Sequence, residues 1–255
     1  MHASLRLLAL AILLPSALAR AGTIHLTTSD GVTLAADTWG TGSKGVVLVH
    51  GKGRTAEDWS WYGAKLAGDG YRVLALDLRG SGRSVPPDPP DDWSVAKGDV
   101  TAAVGWMKSH GAHEITLVGA DLGGTLATMA GDDPAVTDLV LLSPGLNLSS
   151  LPLKPAVVAY GDRPLLLVAS EADPYAVKSA QFLDSVAQGP HEVKITDTDS
   201  GAQLINRHRD LETFVTAWIG GGWKTSAEKT DASRDVRDVG EAGEIQTTGK
   251  RFGDH

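Results

Sequence analysis

One stretch of this chain leaves little freedom in what it can fold into: Ile115-Thr116-Leu117-Val118-Gly119-Ala120-Asp121-Leu122-Gly123-Gly124. Its first residues are β-branched and apolar without polar alternation, the pattern of a strand covered on both faces. A G-x-D-x-G turn follows, and a helical pattern runs on over Gly124–Ala130. The outer glycines permit a tight strand-to-helix reversal and close helix–strand packing. The central Asp121 then sits on a strained elbow with its side chain presented to a cleft. The next backbone N–H, from Leu122, opens a helix and points at the same space.

The rest of the chain supplies matching units. Thr23–Thr28 and Thr33–Trp39 read as two strands joined at Ser29-Asp30-Gly31, an antiparallel hairpin. Gly45–His50, Tyr71–Asp77, Glu114–Gly119, Leu139–Ser143, Pro164–Ser170 and His191–Thr196 read as further strands. Helical patterns lie between them at Thr55–Leu66, Ser94–Ser109, Gly124–Ala130 and Ala176–Ala187, with a last one at Asp210–Ile219. This alternation predicts an α/β fold: a doubly wound, mostly parallel eight-stranded sheet with right-handed crossovers. The segment between Ser143 and Pro164 has room for one short helix and no large lid domain. A domain over 22–223 accounts for the pattern.

The ends read differently. Arg6, the apolar run Leu7–Leu14 and the small-residue site Ala17-Leu18-Ala19 predict a signal peptide over 1–19, hence a secreted or periplasmic protein. The run is shorter than the ~20 residues a bilayer span needs. Residues 224–255 are polar and mixed in charge, and are expected to be a disordered tail. With no cysteine, disulfides and thiol catalysis are excluded. A net charge of −8 disfavours a nucleic-acid partner and an anionic membrane surface.

In a parallel sheet, ligands bind beyond the carboxyl ends of the strands. That rule gathers His50-Gly51-Lys52-Gly53, Asp77–Gly80, the elbow at Asp121, Asp173 and Asp199-Ser200 on one edge. It sends His110, His113 and His191, which precede strands, to the opposite one. From Gly31 to about Ile219 the chain resembles the α/β-hydrolase superfamily, in a lidless, esterase- or dienelactone-hydrolase-like branch. Four signals carry the resemblance: Val49-His50-Gly51 after a strand, the loop Asp77–Ser84, the elbow Gly119–Gly124, and Asp173-Pro174.

The resemblance implies a nucleophile, an acid and a histidine. The elbow position, serine in most of the family, is Asp121. Asp173 matches the acid. Gly201 and Leu204 align the last turn so that Ser200 stands where histidine belongs. The oxyanion donors implied by the family fall on the backbone N–H groups of Lys52 and Leu122. Acyl transfer by serine needs a hydroxyl activated by imidazole, and this chain departs at both positions. His208 is the only substitute base near the correct edge, and only if its loop folds back. His50 reads as a structural histidine holding the oxyanion loop.

Without the bridging imidazole, Asp121 and Asp173 face one cavity. One of them is then protonated, or a cation such as Lys52 or Arg207 lies between them. A metal with Asp199 as third oxygen ligand is a weaker option, and neither a metal nor a cofactor is expected. The functional expectation is an exported descendant of a carboxyl-ester hydrolase with a degenerate triad and weak or absent activity. Two alternatives stand beside it: an active hydrolase using Asp121 as nucleophile or base, and a protein binding a small ester-like ligand in the old pocket.

Overall fold

The computed structural model describes residues 22–84 and 86–223. The segments read as signal peptide, 1–19, and tail, 224–255, lie outside them. An eight-stranded sheet forms the centre, with strands β1 (Gly22–Thr27), β2 (Thr33–Trp39), β3 (Lys44–Val49), β4 (Arg72–Leu76), β5 (Glu114–Ala120), β6 (Val136–Leu142), β9 (Leu165–Ser170) and β10 (His191–Thr196). Their spatial order is β1-β2-β4-β3-β5-β6-β9-β10. β1 pairs antiparallel with β2, and β2 antiparallel with β4; every later pairing is parallel. The two smallest strands, β7 (Asn147–Leu148) and β8 (Leu151–Pro152), make a separate hairpin.

Alternation along the central strands explains their uninterrupted apolar runs. Val47 and Val49 point into one buried layer, while Val46 and Leu48 point into the other. Leu139 and Leu141 likewise oppose Val140 and Leu142. Helices α2 (Lys97–Ser109), α3 (Leu122–Ala130), α4 (Leu153–Tyr160) and α5 (Pro174–Asp184) cover the first face. Helices α1 (Ser60–Gly68), α6 (Gln203–Arg207) and α7 (Arg209–Ala217) cover the second. Both faces of the central strands are therefore dry, which is why those strands show no clean polar alternation, whereas the edge strands β1 and β10 do.

Several boundaries differ from the sequence reading for local reasons. The helix expected from Thr55 begins as a 3₁₀ turn at Ala56–Trp59, where the Thr55 hydroxyl caps the Glu57 N–H, and becomes α-helical at Ser60. β6 starts three residues earlier than expected, at Val136. Its buried Asp138 hides the start in the sequence, and hydroxyls of Thr116 and Thr137 satisfy it. The expected last helix begins one residue early, as α7 at Arg209, and gives way to a π-helical turn, Trp218–Gly222; a short helix that was not expected, α6, precedes it and ends at its cap, His208. Between β6 and β9 stand only the small hairpin and α4, so no large lid covers the sheet edge.

The loop Asp77–Ser84 anchors that edge. Arg79 Nε and Nη2 reach the fully buried Asp99 of α2, and Arg79 Nη1 reaches Asp30 at 2.7 Å. Asp77 accepts the Ala56 N–H at 2.7 Å and the Arg83 Nε–H at 2.9 Å. Buried carboxylates of this kind persist because charged donors satisfy them.

Candidate active site

The elbow between β5 and α3 has the geometry its glycines foretell. Asp121 adopts φ 49° and ψ −120°, a region that penalises side chains. A side-chain carbon on Gly119 would stand 2.5 Å from Gly123 O, and one on Gly123 would stand 2.4 Å from His50 O. The bare backbone at these positions lets α3 seat against β5 and against the loop after β3. The Asp121 N–H donates to Leu142 O of β6 at 2.9 Å, and its carbonyl accepts from Gly124 N at 3.0 Å. The elbow is thus pinned at both ends, with the carboxylate turned outward.

The carboxylate lies between two more bare positions. A side-chain carbon on Gly51 would stand 2.6 Å from Asp121 Oδ2, and one on Gly201 would stand 3.1 Å from the same oxygen. Gly201 is held there by its N–H, which donates to Ser143 Oγ at 2.9 Å across the end of β6. The sequence reading missed Ser143; its only signal was its place just after a strand. Gly51, Arg54, Asp58, Ala120, Asp121, Ser200 and Gly201 line a cavity of about 170 Å³, with Ala202 and Gln203 closing it. Asp121 and Ser200 therefore do share one cavity.

His50 holds the loop and does not enter that cavity. Its Nδ1 lies 2.8 Å from Gly51 O, and its Nε2 accepts the Leu78 N–H at 3.0 Å. These partners assign a neutral ring with the proton on Nδ1. Burial pushes its pKa below the usual histidine value, in agreement. Lys52, the residue expected to give an oxyanion N–H, follows Gly51 directly, and Leu122 opens α3 beside the carboxylate.

Asp173 caps α5, accepting the Ala176 N–H at 3.0 Å. It still acts on Asp121 through space. Burial first, and the Asp173 charge second, push the Asp121 carboxyl from 3.8 up to about 6, while Arg54 opposes the shift. Among the described residues, no donor lies within hydrogen-bond reach of the Asp121 carboxylate. Arg54 itself is spent on Asp58, through Nε–Oδ2 at 2.7 Å and Nη2–Oδ1 at 2.5 Å.

Several expected partners are elsewhere. The Lys52 ammonium lies 3.4 Å from Ser149 Oγ and 5.7 Å from the centre of the Trp93 ring, so it does not bridge the carboxylates. Arg207 pairs with Asp199 at 2.8 Å. The cation that Asp121 feels is Arg54, which the sequence reading did not single out. Its signal was the i,i+4 spacing to Asp58 in the 3₁₀ turn that follows.

His208 does not fold back toward the elbow. Its Nε2 lies 3.0 Å from Asp199 Oδ2, and its Nδ1 lies 3.5 Å from Thr196 Oγ1. Its ring lines a different cavity of about 550 Å³, beside Lys194, Thr196, Arg209 and Phe214. Asp199 has a left-handed backbone, φ 70°, and its carboxylate is mostly covered by Arg207 and His208. Asp199 consequently joins the outer pair and not a three-carboxylate cluster with Asp121 and Asp173. Trp59 and Trp93 are core residues and Trp61 is exposed, so none of the three lines the small cavity.

Comparison with known proteins places these observations. A family model described as "Alpha/beta hydrolase family" matches residues 46–238, more than half of the chain. Over 84 residues the chain is 39% identical to epoxide hydrolase B of Mycobacterium tuberculosis, covering 32% of this chain and 23% of that protein. Over 91 residues it is 36% identical to a non-heme chloroperoxidase of Streptomyces lividans, covering 35% and 33%. The matched stretches thus span about a quarter to a third of those relatives. Among solved structures, an esterase from Pyrococcus furiosus superposes with a TM-score of 0.65 at 18% identity, over 85% of this chain and 95% of the other. A dienelactone hydrolase from Anabaena variabilis gives 0.65 at 15% identity, over 82% and 98%. At such identities the likeness is one of fold.

Proposed function

The chain belongs to the alpha/beta hydrolase family, and on that premise we propose that it keeps the family's pocket for binding while its ester-hydrolysing machinery is degenerate. One observation carries this reading: among the described residues, no imidazole lines the cavity that holds Asp121. Serine-type acyl transfer needs a neutral hydroxyl nucleophile and a base that takes its proton and returns it to the leaving group. The elbow supplies a carboxylate. The position that would supply the base supplies Ser200, whose hydroxyl is no base near neutral pH.

A second reading is an active hydrolase in which Asp121 serves as nucleophile or general base. The elevated carboxyl, near pH 6, favours it, because a general base works best with a pKa near the operating pH. As nucleophile, Asp121 would form an ester with the substrate, and hydrolysis of that ester would need an activated water. The absence of a base beside Ser200 weighs against that second step.

The deciding experiment follows a short-chain nitrophenyl ester with the purified protein and with Asp121→Ala, recording intact mass after exposure to the ester and to an alkyl halide. We expect no turnover above a slow background common to both proteins. Residual electrostatic stabilisation without a triad still gives rates of ~10³ over water in serine proteases, so only turnover lost in Asp121→Ala would establish the second reading. A stable adduct would mark Asp121 as a nucleophile stranded before hydrolysis. Export is part of the proposal and rests on residues 1–19; a mature mass retaining those residues would remove it.

A further inference from the structure

Resting on the binding reading above, we propose that the cavity at the Asp121 elbow is a site for a small organic cation, a primary ammonium whose N–H groups satisfy the elbow carboxylate. The first support is an unmet need. Asp121 is half-buried, no described residue donates to its carboxylate, and its Oδ2 lies against the bare backbone of Gly51 and Gly201 on the wall of the cavity. A carboxylate removed from water is costly until donors reach it.

The second support is charge. From the loop after β3 comes Arg54, whose charge Asp121 still feels, and from the 3₁₀ turn that follows comes Asp58, which pairs with it through two short contacts. From the start of α5 comes Asp173, which adds negative field. From the turn after β10 come Ser200, Gly201 and Gln203, all uncharged, since Asp199, Arg207 and His208 pair with each other away from the cavity. The remaining charge at the cavity is negative, so it selects a cation over an anion.

The third support is size. About 170 Å³ equals roughly six waters at ~30 Å³ each, room for a handful of heavy atoms. The Ser200 and Gln203 side chains offer neutral polar groups to whatever the ammonium carries. A methylammonium or ethanolammonium head fits this space; a bulky quaternary ammonium lacks the N–H donors that the carboxylate requires.

The test titrates the full chain with methylammonium chloride and with ethanolammonium chloride, by calorimetry and by amide chemical-shift mapping, beside Asp121→Asn. Sodium acetate and tetramethylammonium chloride serve as probes of charge and of donor need. We expect saturable binding of the primary ammonium in or below the millimolar range, centred on the amides of Gly51, Leu122 and Gly201. Binding should fall about tenfold or more in Asp121→Asn, whose fold the same spectra report. No saturable binding, shifts centred elsewhere, equal binding by folded Asp121→Asn, or tighter binding of acetate or tetramethylammonium would overturn the proposal. Nitrophenyl ester turnover measured on the same samples separates the two readings. Turnover dependent on Asp121 defeats the non-hydrolytic reading, whereas absent ammonium binding without turnover defeats only the ligand assigned here.

Discussion

At the residue scale, Asp121 sets the character of the site, and its titration gives a signed expectation. Its folded pKa, about 6, is above the ordinary 3.8, so the folded state holds the proton more tightly than the unfolded chain. Stability is therefore lost as pH rises from about 4 to about 6, and the penalty is complete above that window. Asp121→Asn removes the charge and keeps the shape. It should stabilise the protein at pH 8 by about 1–3 kcal/mol, with the gain vanishing near pH 4. Denaturant midpoints at the two pH values measure this, and a loss of stability at pH 8 would point to a cation already paired with Asp121. The same residue bears on chemistry. Asp121→Ser alone should not give fast ester hydrolysis, because a hydroxyl at the elbow still lacks a base. Adding Ser200→His places an imidazole on the cavity that both positions line, and some nitrophenyl ester turnover should then appear. A fast single variant would show that a base other than one at position 200 serves the elbow.

At the scale of elements, the β5–α3 junction shows how a turn dictates packing. Gly119 and Gly123 bring backbone within van der Waals reach of backbone, and nothing flexible stands there to yield. Gly119→Ala should destabilise by more than about 3 kcal/mol or prevent accumulation of folded protein, since either the α3 seat or the elbow must shift. Gly105 is the contrasting case. It lies on the exposed side of α2, and an added carbon would meet nothing within 4 Å. Gly105→Ala should stabilise by about 0.5–1 kcal/mol through helix propensity and a less disordered unfolded chain. Thermal melts of the pair test whether the elbow glycines are there for contact. Equal effects would mean that the junction tolerates more than its geometry allows.

At the scale of the whole molecule, stability resides in the two buried layers on either side of the sheet. Leu48 stands at the centre of the second layer, on β3, fully buried. Leu48→Ala should cost about 2–5 kcal/mol, a drop of roughly 4–20 °C in Tm at about 2–4 °C per kcal/mol. Ile195, on the edge strand β10, is 40% exposed, and its replacement by alanine should change stability by no more than about 0.5 kcal/mol. Comparable losses at both positions would mean that β10 is covered by something outside the described residues. The separation also has a functional side. The Asp121 cavity is lined from the turns after β3, β5 and β10, with Ser143 after β6 holding the last of them, while the Asp199–His208 pair lies out on the edge with α7.

The chain order of apolar runs, helical stretches and glycines determined by itself that a mostly parallel sheet forms and that Asp121 stands on its elbow. Those features are local: strand burial on both faces shows as unbroken apolar sequence, and a tight reversal shows as glycine spacing. The strand-end rule also brings Asp121 and Ser200 to one edge. Only the tertiary structure decided which charged groups meet. The sequence offered Lys52, Arg207 and His208 as neighbours of the carboxylate, yet Arg54 is the cation it feels, and Ser143 latches the Gly201 turn against it. Long charged side chains choose partners across several ångströms, and His208 meets Asp199 and lines another cavity. Such choices depend on distances between segments far apart in the chain, which no local pattern of residues encodes.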